Sequence, residues 1–468
     1  MATVSAPGGM LSGVLVAVLS GALSACASSC DRNGDAAVDA ATAATDSGAE
    51  RGPRCVGPSS QRALADVTEV GQAVLVGHEV LIGVVLVLDA GRVHQGVVIT
   101  DDTLSQVTVK DLGEGIPDGP IPRPFIGGGD AYVAFHPGLS RRSSDGDGGA
   151  TRGLVLRAQK VHDDPRSVVD FARGPTGTFG FDVAFAGGSI VAAWEEDVER
   201  RGVIRVARAG KGGIVVSPAT TDADDPKLLP LPDGRLVVAW TGMRDEPTDA
   251  GHEHDLERPS EDRAFRWAEV AFLEPDKLDP ELTKPLADGG APKKSFVAYR
   301  ATPENGHVGS LELALSRGAP MAFIQDEGAE ADGAGGRILS LVLGPAQPRD
   351  SRVVVPRGVG HALFDYLPIS TPSSPSSLAG DASTGSEGPA FVSFADVAEH
   401  QMLAVVGQAA PDSLPTTEPT MELGRPLVAL SAAGADPRER RILALKVPGA
   451  TPNRTSPSAE LWLLTCVP

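Results

Sequence analysis

The chain has few aromatic residues, few cysteines and none of the short motifs that define the common enzyme classes. Aromatic residues make up 4% of 468 residues, with four Trp and three Tyr, and there are four Cys. Four tryptophans do not supply the regular docking repeats of a quinoprotein dehydrogenase. No cysteine pair has the C-x-x-C spacing of a zinc or dithiol site. No G-x-S-x-G, P-loop or Rossmann fingerprint occurs, so no catalytic residue is singled out.

Basic residues are also fewer than acidic residues. Lys and Arg number 41 against 61 Asp and Glu, a net charge of −20. A strongly acidic protein is repelled by nucleic acid and by anionic lipid headgroups, so we expect no nucleic-acid partner. The acids occur in no run of five or more, which argues against an acidic interaction tail.

Glycine and proline are abundant. There are 55 Gly and 38 Pro, about a fifth of the chain, while 41% of residues are hydrophobic. This composition predicts many turns and short elements rather than long helices, with enough apolar surface for a core.

The first 25 residues are typical of an export signal. An apolar run from Met10 to Ala25, too short for a comfortable membrane-spanning helix, ends in Leu23-Ser24-Ala25-Cys26. This pattern resembles the lipobox of a bacterial lipoprotein signal peptide, which implies that Cys26 becomes an acylated N-terminus. In that family an Asp after the acylated Cys often retains the protein in the inner membrane, and here the residue is Ala27. The resemblance therefore implies a lipid anchor in the outer membrane, facing the periplasm or the cell surface.

Three segments follow from composition. Residues 1–25 form the signal peptide, and residues 26–54, rich in Ala, Asp and Ser, form a flexible tether with a typical reach on the order of 30 Å. Residues 55–468 form the folded domain, with insertions near 242–262 and 368–388.

A pair of consecutive strands recurs along the folded domain. The first is short and apolar, and we call the second the answering strand. The apolar strands are predicted at 131–135, 190–194 and 236–240, with weaker copies at 320–324, 390–394 and 427–430. The answering strands are predicted at 153–158, 203–208, 265–270, 337–342, 402–406 and 441–446, and 81–88 with 96–100 is a degenerate first copy. Continuous apolar runs of this length are typical of strands buried on both faces.

Repeated hairpin pairs of this size predict an all-β fold, a six- or seven-bladed β-propeller. A β-sandwich pair is the alternative. The segment 179–240 resembles irregular propellers of the sialidase-like or BNR-like kind, although the Ser-x-Asp-x-Gly-x-x-Trp box of sialidase repeats is absent. A disulfide between Cys55 and Cys466 would fit ring closure, with the first strand completing the last blade beside 461–465. Cys30–Cys55 is the rival pairing.

Three polar clusters are candidate cation sites. His252, His254 and Asp255 form the single histidine cluster, which could bind zinc or another divalent ion, although a solvated insertion loop explains it as well. Residues 31–39 and 145–149 contain Asp-rich stretches with partial calcium-loop character, which a linker and a tight turn explain equally. No cofactor is expected, and calcium or zinc are the candidates if one binds.

Two main functional hypotheses remain. The first is a lipid-anchored, non-catalytic propeller that binds or scaffolds protein or glycan at the cell envelope. The alternative is a glycan-directed envelope hydrolase with acidic residues on one propeller face. A subunit of an outer-membrane assembly machine is a third, weaker hypothesis. A cluster of several acids with an Arg or Tyr at the propeller axis would favour the hydrolase.

Overall fold

The computed structural model describes 28 β-strands and one 3₁₀ helix, Pro275–Lys277. The described residues are 54–88, 92–115, 119–137, 155–162, 168–173, 180–198, 201–244, 266–278, 296–303, 307–316, 318–327, 336–360, 365–367, 390–395, 401–406, 418–419, 425–430, 440–446 and 459–467. Among these residues no helix is long and apolar enough to cross a membrane.

The strands form seven four-stranded antiparallel sheets within the described residues. After β1 (Arg54–Leu64), blade 1 comprises β2 (Val67–Val76), β3 (Glu79–Leu88), β4 (Arg92–Asp101) and β5 (Val107–Glu114). Blade 2 comprises β6 (Arg123–Gly127), β7 (Asp130–Phe135), β8 (Val155–Lys160) and β9 (Val168–Arg173). Blade 3 comprises β10 (Phe181–Ala186), β11 (Ser189–Val198), β12 (Arg201–Arg208) and β13 (Ile214–Val215). Blade 4 comprises β14 (Thr221–Pro230), β15 (Leu236–Arg244), β16 (Arg266–Leu273) and β17 (Ala298–Arg300).

The last three sheets complete the series. Blade 5 comprises β18 (Val308–Ser316), β19 (Ala319–Asp326), β20 (Gly336–Val342) and β21 (Asp350–Val359). Blade 6 comprises β22 (Asp365–Leu367), β23 (Ala390–Ala395), β24 (Gln401–Val406) and β25 (Glu418–Pro419). Blade 7 comprises β26 (Arg425–Leu430), β27 (Arg440–Lys446) and β28 (Ala459–Val467), and its fourth strand is β1.

The seven sheets surround a common axis. The first strand of each sheet contacts the first strands of the two neighbouring sheets, and β26 of blade 7 contacts β2 of blade 1. The predicted β-propeller is therefore confirmed, and the alternative of a β-sandwich pair is not adopted. The first strands line the axis, and the fourth strands lie at the outer edge of the ring.

In blades 1 to 6 the second strand is the apolar strand predicted from the sequence. Residues 190–194 of β11 and 236–240 of β15 are all buried. Alternate residues enter different cores: Val191 and Ala193 pack between blades 3 and 4, whereas Ala192 and Trp194 pack between blades 2 and 3. Because side chains alternate between the faces of a strand, a strand between two cores must be apolar throughout.

One repeat copy was assigned to the wrong position in its blade. Residues 427–430 pair with 441–446 as predicted, but they belong to β26, the first strand of blade 7. The equivalent of the other apolar strands is β27. The prediction missed this because β26 also carries buried leucines, Leu427 and Leu430, so its pattern resembles that of a second strand.

In blades 1 to 5, short turns join the first to the second strand on one face of the propeller, which we call the turn face. The predicted Asp233-Gly234 turn is present, with Gly234 at φ +84°, and Gly187 and Gly188 between β10 and β11 also have positive φ. Glycine adopts this left-handed backbone without the steric cost that a Cβ atom brings. The opposite face, where first strands begin and second strands end, we call the entry face.

The ring closes through the first strand of the chain. β1 pairs antiparallel with β28, as predicted for 461–465, and Cys55 lies directly opposite Cys466 in the register. The side chains of both cysteines lie outside the described residues, so the disulfide stays a prediction. On the turn face, the Arg441 side chain of blade 7 donates to the backbone oxygen of Asp102 in blade 1 at 3.2 Å.

Gly83 is a position where neighbouring blades approach too closely for any side chain. A Cβ atom built on Gly83 of β3 would lie 1.7 Å from the carbonyl oxygen of Pro122, which precedes β6. We expect Gly83→Ala to lower the free energy of unfolding by about 3 kcal/mol or more, because the clash is with backbone. The control is Gly180→Ala, where the nearest atom would be 3.3 Å away. Equal urea midpoints for the two variants would contradict the close approach.

Candidate functional site

Five polar side chains on the first strands of five blades form a ring around the axis. We call Gln72, Arg123, Asp182, Lys227 and Glu312, from blades 1 to 5 in order, the polar ring. Four of them lie four residues before the last residue of their strand, and so at one level of the propeller. Lys227 is three residues from the end of β14, where a register shift between Asp224 and Lys227 moves the strand by one position.

The charged members of the ring are paired. Arg123 Nε lies 2.6 Å from Asp182 Oδ1, and Asp182 Oδ2 accepts a 2.7 Å hydrogen bond from the Leu228 amide. The Asp182 side chain is 2% exposed, and burial raises its pKa against the opposing charge of Arg123. Burial alone would lower the pKa of Lys227, but the charges of Asp225 and Glu312 outweigh it and the pKa is raised. The ring is therefore a compensated network of buried charge.

One contact of the ring joins blades that are not neighbours. Gln72 Nε2 of blade 1 donates to Glu312 Oε2 of blade 5 over 3.1 Å. Blades 2, 3 and 4 separate these two strands on one side of the ring, and blades 6 and 7 separate them on the other. The hydrogen bond consequently spans the axial channel, and the polar ring forms a floor across it.

Five carboxyl groups lie towards the entry face from this floor, at the junction of blades 3 and 4. We call Glu195, Asp197, Asp222, Asp224 and Asp225 the acidic mouth. The first two lie near the end of β11, and the other three lie in the first half of β14. Strand β11 runs antiparallel to β10, so its end lies at the face where first strands begin. Asp225 links the mouth to the ring, since it accepts a 2.7 Å hydrogen bond from Lys227 Nζ.

The local backbone brings these groups together. Asp225 has φ +48°, at the register shift in β14. A Cβ atom on Gly180 would lie 3.4 Å from Glu195 Oε2 and 3.5 Å from the Asp225 Cα. The absence of a side chain at Gly180 thus leaves the Glu195 carboxyl close to β14. Asp222 is fixed separately, because its Oδ1 accepts a 2.6 Å hydrogen bond from the Gly202 amide.

Two carboxyl groups of the mouth have raised pKa values. Burial is the largest cause at Glu195, and the charges of the other four acids add to it, which raises the pKa to about 8. Burial also raises the pKa of Asp224, to about 6, while the Arg266 guanidinium opposes the increase. Arg266 Nη2 lies 3.8 Å from Asp224 Oδ2, and Asp224 Oδ1 is buried without a hydrogen-bond partner among the described residues. Near neutral pH the Glu195 carboxyl is therefore largely protonated, and the Asp224 carboxyl is largely ionised.

The sites predicted from sequence lie elsewhere. Cys26, the cluster of His252, His254 and Asp255, and the acidic stretches at 31–39 and 145–149 fall outside the described residues. Within the part of the chain that is described, no group of three His, Cys, Asp or Glu side chains is arranged to hold a metal ion. The calcium and zinc predictions therefore stay predictions.

The tryptophans predicted to pack blades do so. Trp194 and Trp240 are 2% and 0% exposed. The Trp240 and Trp267 indoles donate to the buried carboxylate of Glu269 at 2.8 and 3.0 Å. Burial raises the pKa of Glu269, and the two indole donors oppose the increase. This group is a structural tie inside blade 4 rather than a part of the axial site.

Sequence reasoning missed the polar ring and the acidic mouth. The first strands are short or irregular, and their polar residues resemble loop residues when the blade pattern is not known. A usable signal was present, since Gln72, Arg123, Asp182 and Glu312 each precede the turn to an apolar strand by a similar distance. Alignment of the repeats on their turns, rather than on the apolar strands, would have shown it.

Comparisons with known proteins leave the family open. No family model matches the chain, and no curated protein matches it. Among solved structures it is similar to the β-propeller domain of the Trilobed protease from Pyrococcus furiosus, with 10% identity, 81% of this chain and 91% of that chain covered, and a TM-score of 0.41. It is also similar to a subtype N10 neuraminidase-like protein of A/little yellow-shouldered bat/Guatemala/060/2010, with 10% identity, 76% and 96% covered, and a TM-score of 0.37. A third is the Trypanosoma rangeli sialidase in complex with sialic acid, with 8% identity, 89% and 59% covered, and a TM-score of 0.38. None of these likenesses assigns a function or a site residue.

The raised pKa of Glu195 makes stability depend on pH. Because its pKa is higher in the folded than in the unfolded chain, the folded state gains from the bound proton, and that gain is lost as pH rises from about 4.5 to 8. We expect Glu195→Gln to be more stable than the wild type by about 1–2 kcal/mol at pH 9 and equally stable at pH 4, by urea unfolding.

The matched control is Asp197→Asn, which removes an exposed charge of the same mouth. The effect of Asp197→Asn on the free energy of unfolding should change less between pH 4 and pH 9 than the effect of Glu195→Gln does. A pH-independent effect of Glu195→Gln would show that the pKa of the carboxyl is the same in the folded and the unfolded chain.

Proposed function

We propose that the protein is a lipid-anchored component of the bacterial cell envelope whose propeller is a non-catalytic binding module. The lipobox-like sequence at Leu23–Cys26 and the tether of residues 26–54 support anchoring through Cys26. Ala27, in the position where an Asp would favour retention in the inner membrane, favours localisation to the outer membrane. The propeller supplies a rigid ring on which an envelope protein or glycan is bound.

The acidic mouth is the binding site in this proposal, and its charge is the observation that carries it. Lys227 compensates Asp225, and Arg266 approaches Asp224 only to 3.8 Å. The other three carboxyl groups of the mouth have no described ion pair. The Gln72–Glu312 hydrogen bond of the polar ring crosses the axis beneath the mouth, so we expect a ligand to approach from the entry face. A half-buried site with uncompensated negative charge favours a cationic ligand.

Between protein and glycan, the charge favours a basic protein segment. Lysine and arginine side chains carry a full positive charge on a long flexible stem, which can reach a carboxylate below a rim. A neutral glycan gains nothing from the surplus charge. We therefore infer a lysine- or arginine-bearing segment of an envelope protein as the ligand, with an amine-bearing glycan as the alternative.

Binding of basic probes tests this site. Fluorescently labelled pentalysine should bind the full-length protein, with an affinity that increases from pH 5 to pH 8 as Glu195 and Asp224 lose their protons. Asp224→Asn should weaken binding about tenfold, which corresponds to the loss of about 1.4 kcal/mol, and added salt should weaken it further. Fluorescence anisotropy measures both effects.

The control is Asp233→Asn, the same change in blade 4 on the turn face, where Asp233 pairs with Arg235. It should leave the affinity unchanged. Chitosan and chitin oligosaccharides separate amine-bearing from neutral glycans. Binding of pentaglutamate as tight as that of pentalysine, or equal losses in both Asp variants, would exclude the acidic mouth as the site.

A glycan-directed hydrolase is the second candidate, favoured by the two raised pKa values. A carboxyl with a pKa of about 8 beside one with a pKa of about 6 supplies an acid and a base at neutral pH, as glycoside hydrolysis requires. Arg266, on the third strand of blade 4, also lies 3.8 Å from Asp224. Turnover of fluorogenic glycosides that is lost in Glu195→Gln would favour this candidate over simple binding.

The lipid anchor is tested independently of the ligand. Cys26→Ala removes the thiol that the acyl chain requires, so we expect the variant to leave the membrane fraction. Cell fractionation and immunoblotting measure the distribution. Cys30→Ala is the matched control and should stay with the membrane, and membrane retention of Cys26→Ala would contradict the anchor.

A further inference from the structure

Strand β1 differs from the rest of the ring because it contributes little to the core. From Val56 to Ala63 its side chains are exposed apart from a half-buried Ser60, and Val56 is 71% exposed. Only at its end does β1 enter the interior, where Leu64 is 1% exposed and packs between blades 7 and 1. Its partner β28 is buried by contrast, from Leu461 to Leu464.

Backbone hydrogen bonds therefore hold β1 in place. The strand pairs with β28 from Arg54 to Leu64, with a register shift between Val56 and Ser60, and Ser59 Oγ donates to the Leu463 carbonyl at 3.1 Å. Segments with few buried apolar contacts and solvent-exposed hydrogen bonds open locally at low free energy. The ring itself does not depend on β1, because the contact between blades 7 and 1 runs through β26 and β2.

The register places a cysteine pair at the free end of this strand. Cys55 lies opposite Cys466, next to the outermost pair of Arg54 with Val467. Opposite Cα atoms in an antiparallel pair are about 4.5–5.5 Å apart, within the range of about 4.4–6.8 Å that a disulfide bridges. A bond here would join β1 to β28 at the end that is farthest from Leu64.

We propose that β1 is a releasable strand and that a Cys55–Cys466 disulfide is its redox-sensitive clasp. When the clasp forms, the two thiols lose two protons and two electrons to a disulfide-bearing oxidant, which is reduced to a dithiol while the sulfur–sulfur bond forms. When a dithiol reductant gives two electrons and two protons to the bond, the sulfur–sulfur bond breaks, both thiols re-form and the reductant becomes a disulfide. Strand β1 then separates from β28 as far as Leu64 and the seven-bladed ring stays closed. The outer edge of β28 then presents unpaired backbone groups to which another extended segment can pair.

Hydrogen exchange of the full-length protein tests the clasp. In the oxidised wild type, those amides of residues 60–63 that donate to β28 should exchange slowly, whereas the alternate amides point away from the sheet edge. After reduction with dithiothreitol, and in the double variant Cys55→Ser with Cys466→Ser, the donating amides should exchange at least tenfold faster. Amides of residues 80–84 in β3, which lie in the core, should be unchanged in all three samples. Cys30→Ser is the control and should exchange as the wild type does.

Peptide mapping without reduction is the second measurement. The Cys55–Cys466 linked peptide is the expected product. Recovery of a Cys30–Cys55 peptide, or of free thiols at both positions in protein exported to an oxidising compartment, would overturn the proposal. Equal protection of residues 60–63 before and after reduction would also overturn it, as would loss of protection in β3, since the opening would then be global.

Discussion

Burial of both sheet faces, seen in blades 3 and 4, is the constraint on which the rest of the structure depends. Residues of β11 and β15 alternate between two cores, one on each side of the blade. A sheet with two apolar faces is stable only when a neighbouring sheet covers each face. Every blade therefore needs two neighbours, and only a closed ring gives two neighbours to all blades. Closure through β26 and β2 satisfies it for the first and last blades, and β1 adds a fourth strand at the outer edge.

Closure of the ring makes the first strands converge at the axis. Polar side chains that would be exposed on an open sheet are therefore partly or wholly buried there. The Arg123–Asp182 pair and the Gln72–Glu312 hydrogen bond satisfy groups that come from different blades. Burial of such charges without partners would cost several kcal/mol each, so the pairing is a condition of a stable axis.

The acidic mouth is left with a surplus of charge that the floor does not compensate. Burial is the main cause of the raised pKa values of Glu195 and Asp224, and repulsion from the neighbouring carboxyl groups adds to it. Both effects lower stability when these groups are ionised. Groups kept in such an arrangement are candidates for function, since a ligand or a proton relieves the repulsion. Binding of a basic segment and acid–base chemistry on a glycan both use the same property, and they differ in whether a covalent bond is broken.

The sequence by itself determined the fold class, the second strands of six blades and the Asp233-Gly234 turn of blade 4. Apolar runs such as 236–240 are unambiguous because a strand between two cores must be apolar at every position. The strand at the C-terminal end and its pairing with the start of the domain also followed from the sequence. Only the tertiary structure decided the place of 427–430 in blade 7, the level of the polar ring and the membership of the acidic mouth. Gln72 and Glu312 are 240 residues apart, and no local pattern relates them. They meet because closure of the ring brings separate first strands to one axis, and that depends on all the blades at once.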